Sequence, residues 1–145
     1  MTQGTRETHA ITSDEYFDHP PARVWHALTD PAKLRQWFMD SDFDFRPELG
    51  HRFTLDMGQF GTTRCEVLAL EPERLLRISW VNPPIDTTVT WWLVAEGSGT
   101  RMFFEHAGFD LADPRQRRAY DGMSSGWRSK IHARLGEVLG GSAAA

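Results

Sequence analysis

Apolar residues alternate with polar ones in several short runs through the middle of the chain, and this pattern predicts an antiparallel sheet. A period of two, bounded by Gly, Pro, Asn or Asp, is typical of strands with one buried face. In the four clearest runs the predicted inward residues are Phe53, Leu55 and Met57; Leu76, Ile78 and Trp80; Val89, Trp91 and Leu93; and Met102, Phe104 and His106. The last run, over residues 100–107, follows a tight turn at Gly97-Ser98-Gly99.

Three further runs, over residues 9–17, 42–46 and 62–70, complete the predicted sheet. The first two each have one apolar face, formed by Ile11 and Phe17 and by Phe43 and Phe45. In the third run two inward faces remain possible, either Cys65, Val67 and Ala69 or Leu68 and Leu70. The runs together predict a curved sheet of six to seven strands.

Two short helices are predicted between the first strand and the rest of the sheet. Pro21 suits the first turn of a helix, which then carries Val24, Trp25 and Leu28 on one face. A second helix begins with Asp30 as N-cap and Pro31 at its first position. It carries Leu34, Trp37 and Phe38.

The strongest periodic signal is a helical stripe near the C-terminal end, after the N-cap pair Asp113-Pro114. Its apolar positions are Tyr120, Met123, Trp127, Ile131, Leu135, Val138 and Leu139. Gly122 and Gly126 interrupt the stripe, and each costs roughly 1 kcal/mol relative to Ala in a helix interior. Two such glycines predict close approach of the sheet, the short helices or a ligand.

The order of elements predicts an α+β fold in which the long helix covers one face of the sheet, because no other element is large enough. We expect one domain over residues 9–139. The flanking residues 1–8 and 140–145 are small or polar and are expected to be flexible.

Composition narrows the function classes. The net charge of −4 and the pI of about 5.8 disfavour nucleic-acid binding, which needs a basic surface. The single cysteine, Cys65, excludes a disulfide within the chain, and the histidines lack metal-ligand spacing. With no apolar signal core and no membrane-spanning stretch, we expect a cytoplasmic protein with neither cofactor nor metal.

Six short motifs occur in an order that resembles one protein family over nearly the whole chain. They are VWHALTDP at 24–31, WF at 37–38, PELGHRF at 47–53, EPERLLRISW at 71–80, GTR with HAGF at 99–109, and GW at 126–127. This set resembles the START-like (SRPBCC) superfamily, and within it the family of the C-terminal domain of the 90-kDa heat-shock chaperone ATPase activator. The resemblance implies a helix-grip fold with a cavity for apolar ligands.

The resemblance leaves several functions open. Relatives in the wider superfamily include lipid carriers, hormone receptors, and polyketide aromatases and cyclases. We expect a carrier or sensor of a hydrophobic or aromatic small molecule. The alternatives are an enzyme of the aromatase and cyclase type and a domain that assists a chaperone.

Ten residues are predicted to form the site between helix and sheet: Trp37, Phe53, Met57, Trp80, Trp91, Phe104, His106, Tyr120, Met123 and Trp127. The apolar members either line a cavity or fill a core. His106 either bonds or protonates a ligand, with Tyr120 as a possible partner, or is a hydrogen-bonded structural histidine.

A second surface is predicted on the outer face of the sheet. Trp92 and Phe103 lie on strands joined by a short hairpin and form a candidate cross-strand pair. The pair predicts weak homodimerisation. It is alternatively an isolated exposed pair, or one covered by Arg101 and Arg64.

Overall fold

The structure, a computed structural model, describes residues 8–38 and 44–141 of the chain. Its strands are β1 (His9–Phe17), β2 (Arg52–Asp56), β3 (Thr62–Glu71), β4 (Leu75–Asn82), β5 (Ile85–Glu96) and β6 (Gly99–Phe109). Two short helices, α1 (Pro21–Thr29) and α2 (Pro31–Trp37), follow β1. The chain then ends in a long helix made of α3 (Pro114–Gly126), a π segment (Trp127–His132) and α4 (Ala133–Gly141).

The six strands form one antiparallel sheet in the order β1-β6-β5-β4-β3-β2. The first strand therefore pairs with the last, and the remaining strands follow as a meander. The register places Phe104 opposite Trp91, and Trp91 opposite Leu76, on the inward face. The predicted helix-grip fold, with its curved sheet, long helix and two short helices, is confirmed.

One predicted strand is not observed within the described residues. Of residues 42–46, the positions of Asp42 and Phe43 lie outside the described part of the chain, and 44–46 form no strand. Phe45 is nevertheless buried, and its ring meets that of Phe53 edge-on at 5.3 Å. Alternation of apolar residues thus predicted burial correctly here but not strand pairing.

The ambiguous face of β3 is explained by an irregularity. Cys65 and Val67 are buried, and the register with β4 then shifts between Val67 and Ala69. Leu68 is consequently 42% exposed. A bulge adds one residue to a strand and breaks its alternation, which is why neither sequence pattern fitted the whole run.

The short helices are fastened by polar contacts at their ends. The Asp30 side chain accepts a hydrogen bond from the Lys33 backbone N–H at 3.1 Å, as predicted for the N-cap. Trp37 Nε1 donates to the Ala27 carbonyl at 2.7 Å, which ties α2 to α1. Arg134 Nε of α4 donates to the Trp37 carbonyl at 3.1 Å and joins both to the long helix.

The long helix lies over the inward face of the sheet. Its N-cap is Asp113, whose side chain accepts from the Arg115 backbone N–H at 2.9 Å. The α3 segment contacts β1 and β6, whereas α4 packs against α1 and α2. Within residues 8–38 and 44–141, no helix has both the length and the apolar character needed to cross a membrane.

Candidate functional site

A cluster of aromatic rings fills the space between the long helix and the sheet, with Trp127 at its centre. The Trp127 ring lies 4.7 Å from Phe104, 5.7 Å from Trp80, 6.0 Å from Trp91 and 6.1 Å from Phe38, measured between centroids. All five side chains are buried. The sheet supplies Trp80, Trp91 and Phe104, the long helix supplies Trp127, and Phe38 directly follows α2.

Three rings in this cluster lie nearly parallel. Phe38 stacks on Trp127 with an interplanar angle of 19°, and Trp127 stacks on His132 with an angle of 29°. The sheet residues meet this stack at steeper angles, such as 78° for Trp91 on Trp127. The interior therefore presents flat aromatic faces, of which Phe38 covers one.

Little space remains in this interior. One small void of about 20 Å³ is lined by Leu28, Leu34, Trp37, Phe38, Phe45, Phe53, Leu76, Ile78 and Trp91. A void needs roughly 10–15 Å³ to hold one water, so this one has room for about one water molecule. It is far smaller than the ~300–1,000 Å³ of a small-molecule pocket. In this structure the protein's own side chains occupy the predicted cavity.

His106 has protein partners on both ring nitrogens. The Thr87 hydroxyl donates to the Trp80 carbonyl at 2.9 Å and so accepts from His106 Nε2 at 2.8 Å. His106 Nδ1 then accepts from Trp127 Nε1 at 3.1 Å. Burial lowers the pKa of His106 to about 3, so the ring is neutral at pH 7. In this arrangement it has no nitrogen left for a ligand.

The suggested His106–Tyr120 pair is not in hydrogen-bond contact in this structure. The Tyr120 hydroxyl donates to the Ala10 carbonyl at 3.4 Å, while the His106 bonds go to Thr87 and Trp127. Both rings pack against Phe109, with centroids 5.4 Å and 4.6 Å away.

The remaining predicted site residues differ in how close they lie to the centre. Trp37 meets Trp91 edge-on at 6.4 Å and belongs to the cluster. Met123 on α3 is half-buried against the core. Phe53 packs on Phe45, and Met57 lies half-buried in the turn after β2 rather than on that strand.

Sequence reasoning did not select His132, which is 2% exposed and central to the site. Its Nε2 accepts from Trp91 Nε1 at 3.3 Å, and its ring lies 4.6 Å from Phe104. Burial lowers the pKa of His132 to about 4. The five-residue step from Trp127 to His132 fits a π turn, which closes i→i+5 hydrogen bonds, and not the assumed α period.

The two helix glycines do not serve close packing of the protein. A Cβ built at Gly122 or Gly126 meets no atom within 4 Å outside its own helix neighbourhood. The expectation that the sheet or a short helix approaches these positions is therefore wrong. Both glycines instead leave open space beside the middle of the long helix.

An open groove of about 810 Å³ runs along β2 to β4, with Phe53 in its lining. Its lining includes Arg52 and Glu66, which form an ion pair at 3.3 Å, together with Arg64 and Ser79. Phe53, Cys65 and Val81 also line this groove, but it is open and partly charged and so lacks the apolar enclosure of a typical small-molecule site.

Metal and thiol chemistry find no support in the described residues. No group of three His, Cys, Asp or Glu side chains that could hold a metal occurs in residues 8–38 and 44–141. Burial raises the pKa of the Cys65 thiol to about 12, and an inert core thiol results.

On the outer face of the sheet, Trp92 and Phe103 form the expected cross-strand pair. They are direct partners in the β5–β6 register, and their rings stack at 6.3 Å and 27°. The nearby Arg101 guanidinium bonds Glu96 at 2.9 Å and Asp14 at 2.7 Å.

Comparison with known proteins agrees with this architecture. Protein MLL2253 from Mesorhizobium loti is 34% identical, with 90% of this chain and 96% of that one covered and a TM-score of 0.79. CalU16 from Micromonospora echinospora is 29% identical (95% and 80% covered, TM-score 0.73), and BH1534 from Bacillus halodurans is 27% identical (94% and 99%, TM-score 0.77). No curated protein matches the chain.

The sequence pattern of the family described as Activator of Hsp90 ATPase homolog 1-like protein matches residues 18–140. This match and the structural neighbours support a ligand-binding domain in general, and they confirm the resemblance seen in the sequence motifs. The chain belongs to the Activator of Hsp90 ATPase homolog 1-like family.

Proposed function

We propose that this protein binds a hydrophobic or aromatic small molecule, lipid-like or polyketide-like, between the long helix and the sheet, as a carrier or sensor. The observation that carries this proposal is the stacking of Phe38 on Trp127 at 6.1 Å and 19°. Phe38 follows the last residue of α2 and occupies the position that a planar ligand would take on the indole face. Aromatic faces in an apolar interior are the usual lining of such sites.

The N-terminal half of the long helix, α3, is less buried than the C-terminal half, as ligand entry between helix and sheet would require. Of the 13 residues of α3, Gln116 alone is buried, and five are half-buried: Ala119, Tyr120, Met123, Ser124 and Gly126. By contrast, the π segment and α4 bury Trp127, His132, Leu135 and Leu139. Segments with few buried apolar contacts open at the lowest free energy. Movement of α3 or of Phe38 would therefore expose the Trp127 face while the rest of the core stays packed.

A tryptophan fluorescence titration tests the proposal, with naphthalene as an aromatic probe and 1-decanol as a chain-like probe. We expect a saturable change with the parent protein. Phe38→Ala should bind naphthalene about tenfold more tightly or better, because the ligand no longer displaces a ring from Trp127.

Phe17→Ala is the matched control, since Phe17 is also buried but lies against Gly136 at the far end of the helix. It should lower stability without raising affinity. If neither probe saturates the parent or Phe38→Ala, the proposed function is wrong.

We further propose that the outer face of the sheet mediates weak self-association. Trp92 and Phe103 stack there, and Leu75 is the β4 partner of Trp92. Val94, on the same face of β5, is 49% exposed. Carboxylates hold the nearby Arg101, whereas Arg74 and Arg77 border the strip and line a shallow concavity with Leu75, Trp92 and Val94. A second copy presenting the same strip would match it in size and character, as symmetric dimers require.

A further inference from the structure

Two buried polar atoms in the described part of the chain have no hydrogen-bond partner, and both belong to residues that neighbour Phe104. They are Ser13 Oγ and His132 Nδ1. Ser13 is the direct partner of Phe104 in the β1–β6 register. The His132 ring packs edge-on against Phe104 at 4.6 Å and 77°. Buried polar atoms are normally hydrogen-bonded, so two atoms without partners on residues that neighbour Phe104 indicate a place for a polar group of a ligand.

The hydrogen bond from Trp91 fixes where the His132 proton lies. An indole N–H only donates, so His132 Nε2 must be the acceptor in the 3.3 Å bond from Trp91 Nε1. The neutral ring then carries its proton on Nδ1. Burial keeps the pKa of His132 low, at about 4, which supports the neutral form at pH 7.

The sheet order indicates the direction of this unused N–H. β6 lies between β5 and β1, so Trp91 and Ser13 flank Phe104 on opposite sides. The two nitrogens of an imidazole point in divergent directions. Because Nε2 faces Trp91, we expect Nδ1–H to be directed away from β5, and Ser13 lies on that side of Phe104 in the sheet.

The charge around this point favours an uncharged acceptor. The histidine is neutral, and Glu15 follows Ser13 on the same face of β1. A ligand carboxylate would meet this acidic side chain without a cationic partner on the ring. A carbonyl oxygen accepts two hydrogen bonds and adds no charge.

We propose that His132 Nδ1–H and Ser13 Oγ–H form the polar end of the ligand site and bind the carbonyl oxygen of an uncharged aromatic or acyl molecule. This inference rests on the proposed function. It assigns the site a ligand class, a neutral ketone or ester-like group on an apolar skeleton, with the skeleton among the rings around Phe104, which Ser13 and His132 neighbour.

Two probes of nearly the same shape test the inference at pH 7.5: 2-acetylnaphthalene and 2-isopropenylnaphthalene, in which a CH₂ group replaces the oxygen. Calorimetric titration gives the Kd of each probe. The readout is the ratio of the alkene Kd to the ketone Kd. In His132→Phe we expect this ratio to fall about 3- to 10-fold relative to the parent, the range for one lost hydrogen bond.

Ser13→Ala should also lower the ratio, and it keeps the test valid if His132→Phe fails to fold. Ser124→Ala is the matched control, because the Ser124 hydroxyl already donates to the Tyr120 carbonyl at 2.7 Å. It should leave the ratio unchanged. Long-range ¹H–¹⁵N NMR of the parent should show His132 protonated on Nδ1, with a downfield shift of that proton on adding ketone but not alkene.

The failures of the two proposals are distinguishable. If both probes saturate the parent, and both His132→Phe and Ser13→Ala keep the parent's ratio of the two Kd values, the proposed polar end is wrong and the binding function stands. If neither probe saturates the parent, the proposed function fails and the polar end with it.

Discussion

At the residue scale, a buried indole N–H needs a hydrogen-bond acceptor, and the core supplies one to three of its tryptophans. Trp127 donates to His106, Trp91 donates to His132, and Trp37 donates to the Ala27 carbonyl. Both histidines are thereby held neutral, since a protonated ring offers no acceptor nitrogen. Proton uptake by either histidine must break a bond to a tryptophan.

This coupling predicts a loss of stability in mild acid. Burial lowers the pKa of His106 to about 3 and of His132 to about 4, below the ~6.5 of an unfolded histidine. The unfolded state therefore binds more protons as pH falls below about 6.5. The stabilisation is complete above that pH, and from about pH 6 down to the folded pKa values each histidine removes up to about 1.4 kcal/mol per pH unit. Urea unfolding between pH 7.5 and 5 measures this slope.

His132→Phe is the variant that isolates one contribution. With a single buried histidine left, the free energy of unfolding of the variant should fall roughly half as steeply as that of the parent when the pH is lowered from 6 to 5. An equal slope in parent and variant would show that His132 does not titrate with folding.

At the element scale, the long helix shows what periodicity predicts and where it fails. An α period correctly placed Trp127, Leu135 and Leu139 in the core but put Ile131 inward. The π segment inserts an extra residue into the turn, so His132 is buried and Ile131 is half-buried. A local sequence pattern does not reveal this shift, because the contact that His132 makes, a hydrogen bond from Trp91 Nε1, comes from a distant strand.

Replacing Gly122 by Ala should stabilise the protein. Gly122 is an exposed residue of α3, and the added methyl meets no atom within 4 Å. Alanine loses less backbone entropy than glycine on entering a helix, so we expect a gain of about 1 kcal/mol, or roughly 2–6 °C in Tm. Thermal unfolding followed by circular dichroism measures it.

Gly108→Ala provides the contrast within the same protein. Gly108 has a φ of +110°, and a Cβ there lies 3.3 Å from the Asp86 carbonyl oxygen. This substitution should lower stability by about 1–2 kcal/mol. A destabilised Gly122→Ala would instead indicate that the glycine serves the helix conformation itself.

At the scale of the whole molecule, most of the fold could be predicted from the sequence, but the state of the site could not. Alternating runs and caps such as Asp30 and Asp113 placed most elements correctly, because these signals are local. Whether the rings enclose a cavity depends on side-chain packing between distant elements. Phe38 stacks on a residue of the far helix, and no local pattern specifies that contact.

A last prediction concerns association of whole molecules through the apolar strip on the outer face of the sheet, which is formed by Leu75, Trp92, Val94 and Phe103. The parent should show a weight-average mass above 16.6 kDa that rises with concentration in sedimentation experiments. Trp92→Lys should remain monomeric, because a charge replaces the ring stacked on Phe103. Thr88→Lys adds the same charge on the same face of β5, four residues away, and should behave like the parent. A constant parent mass, or equal association of Trp92→Lys and the parent, would show that this strip is not the interface.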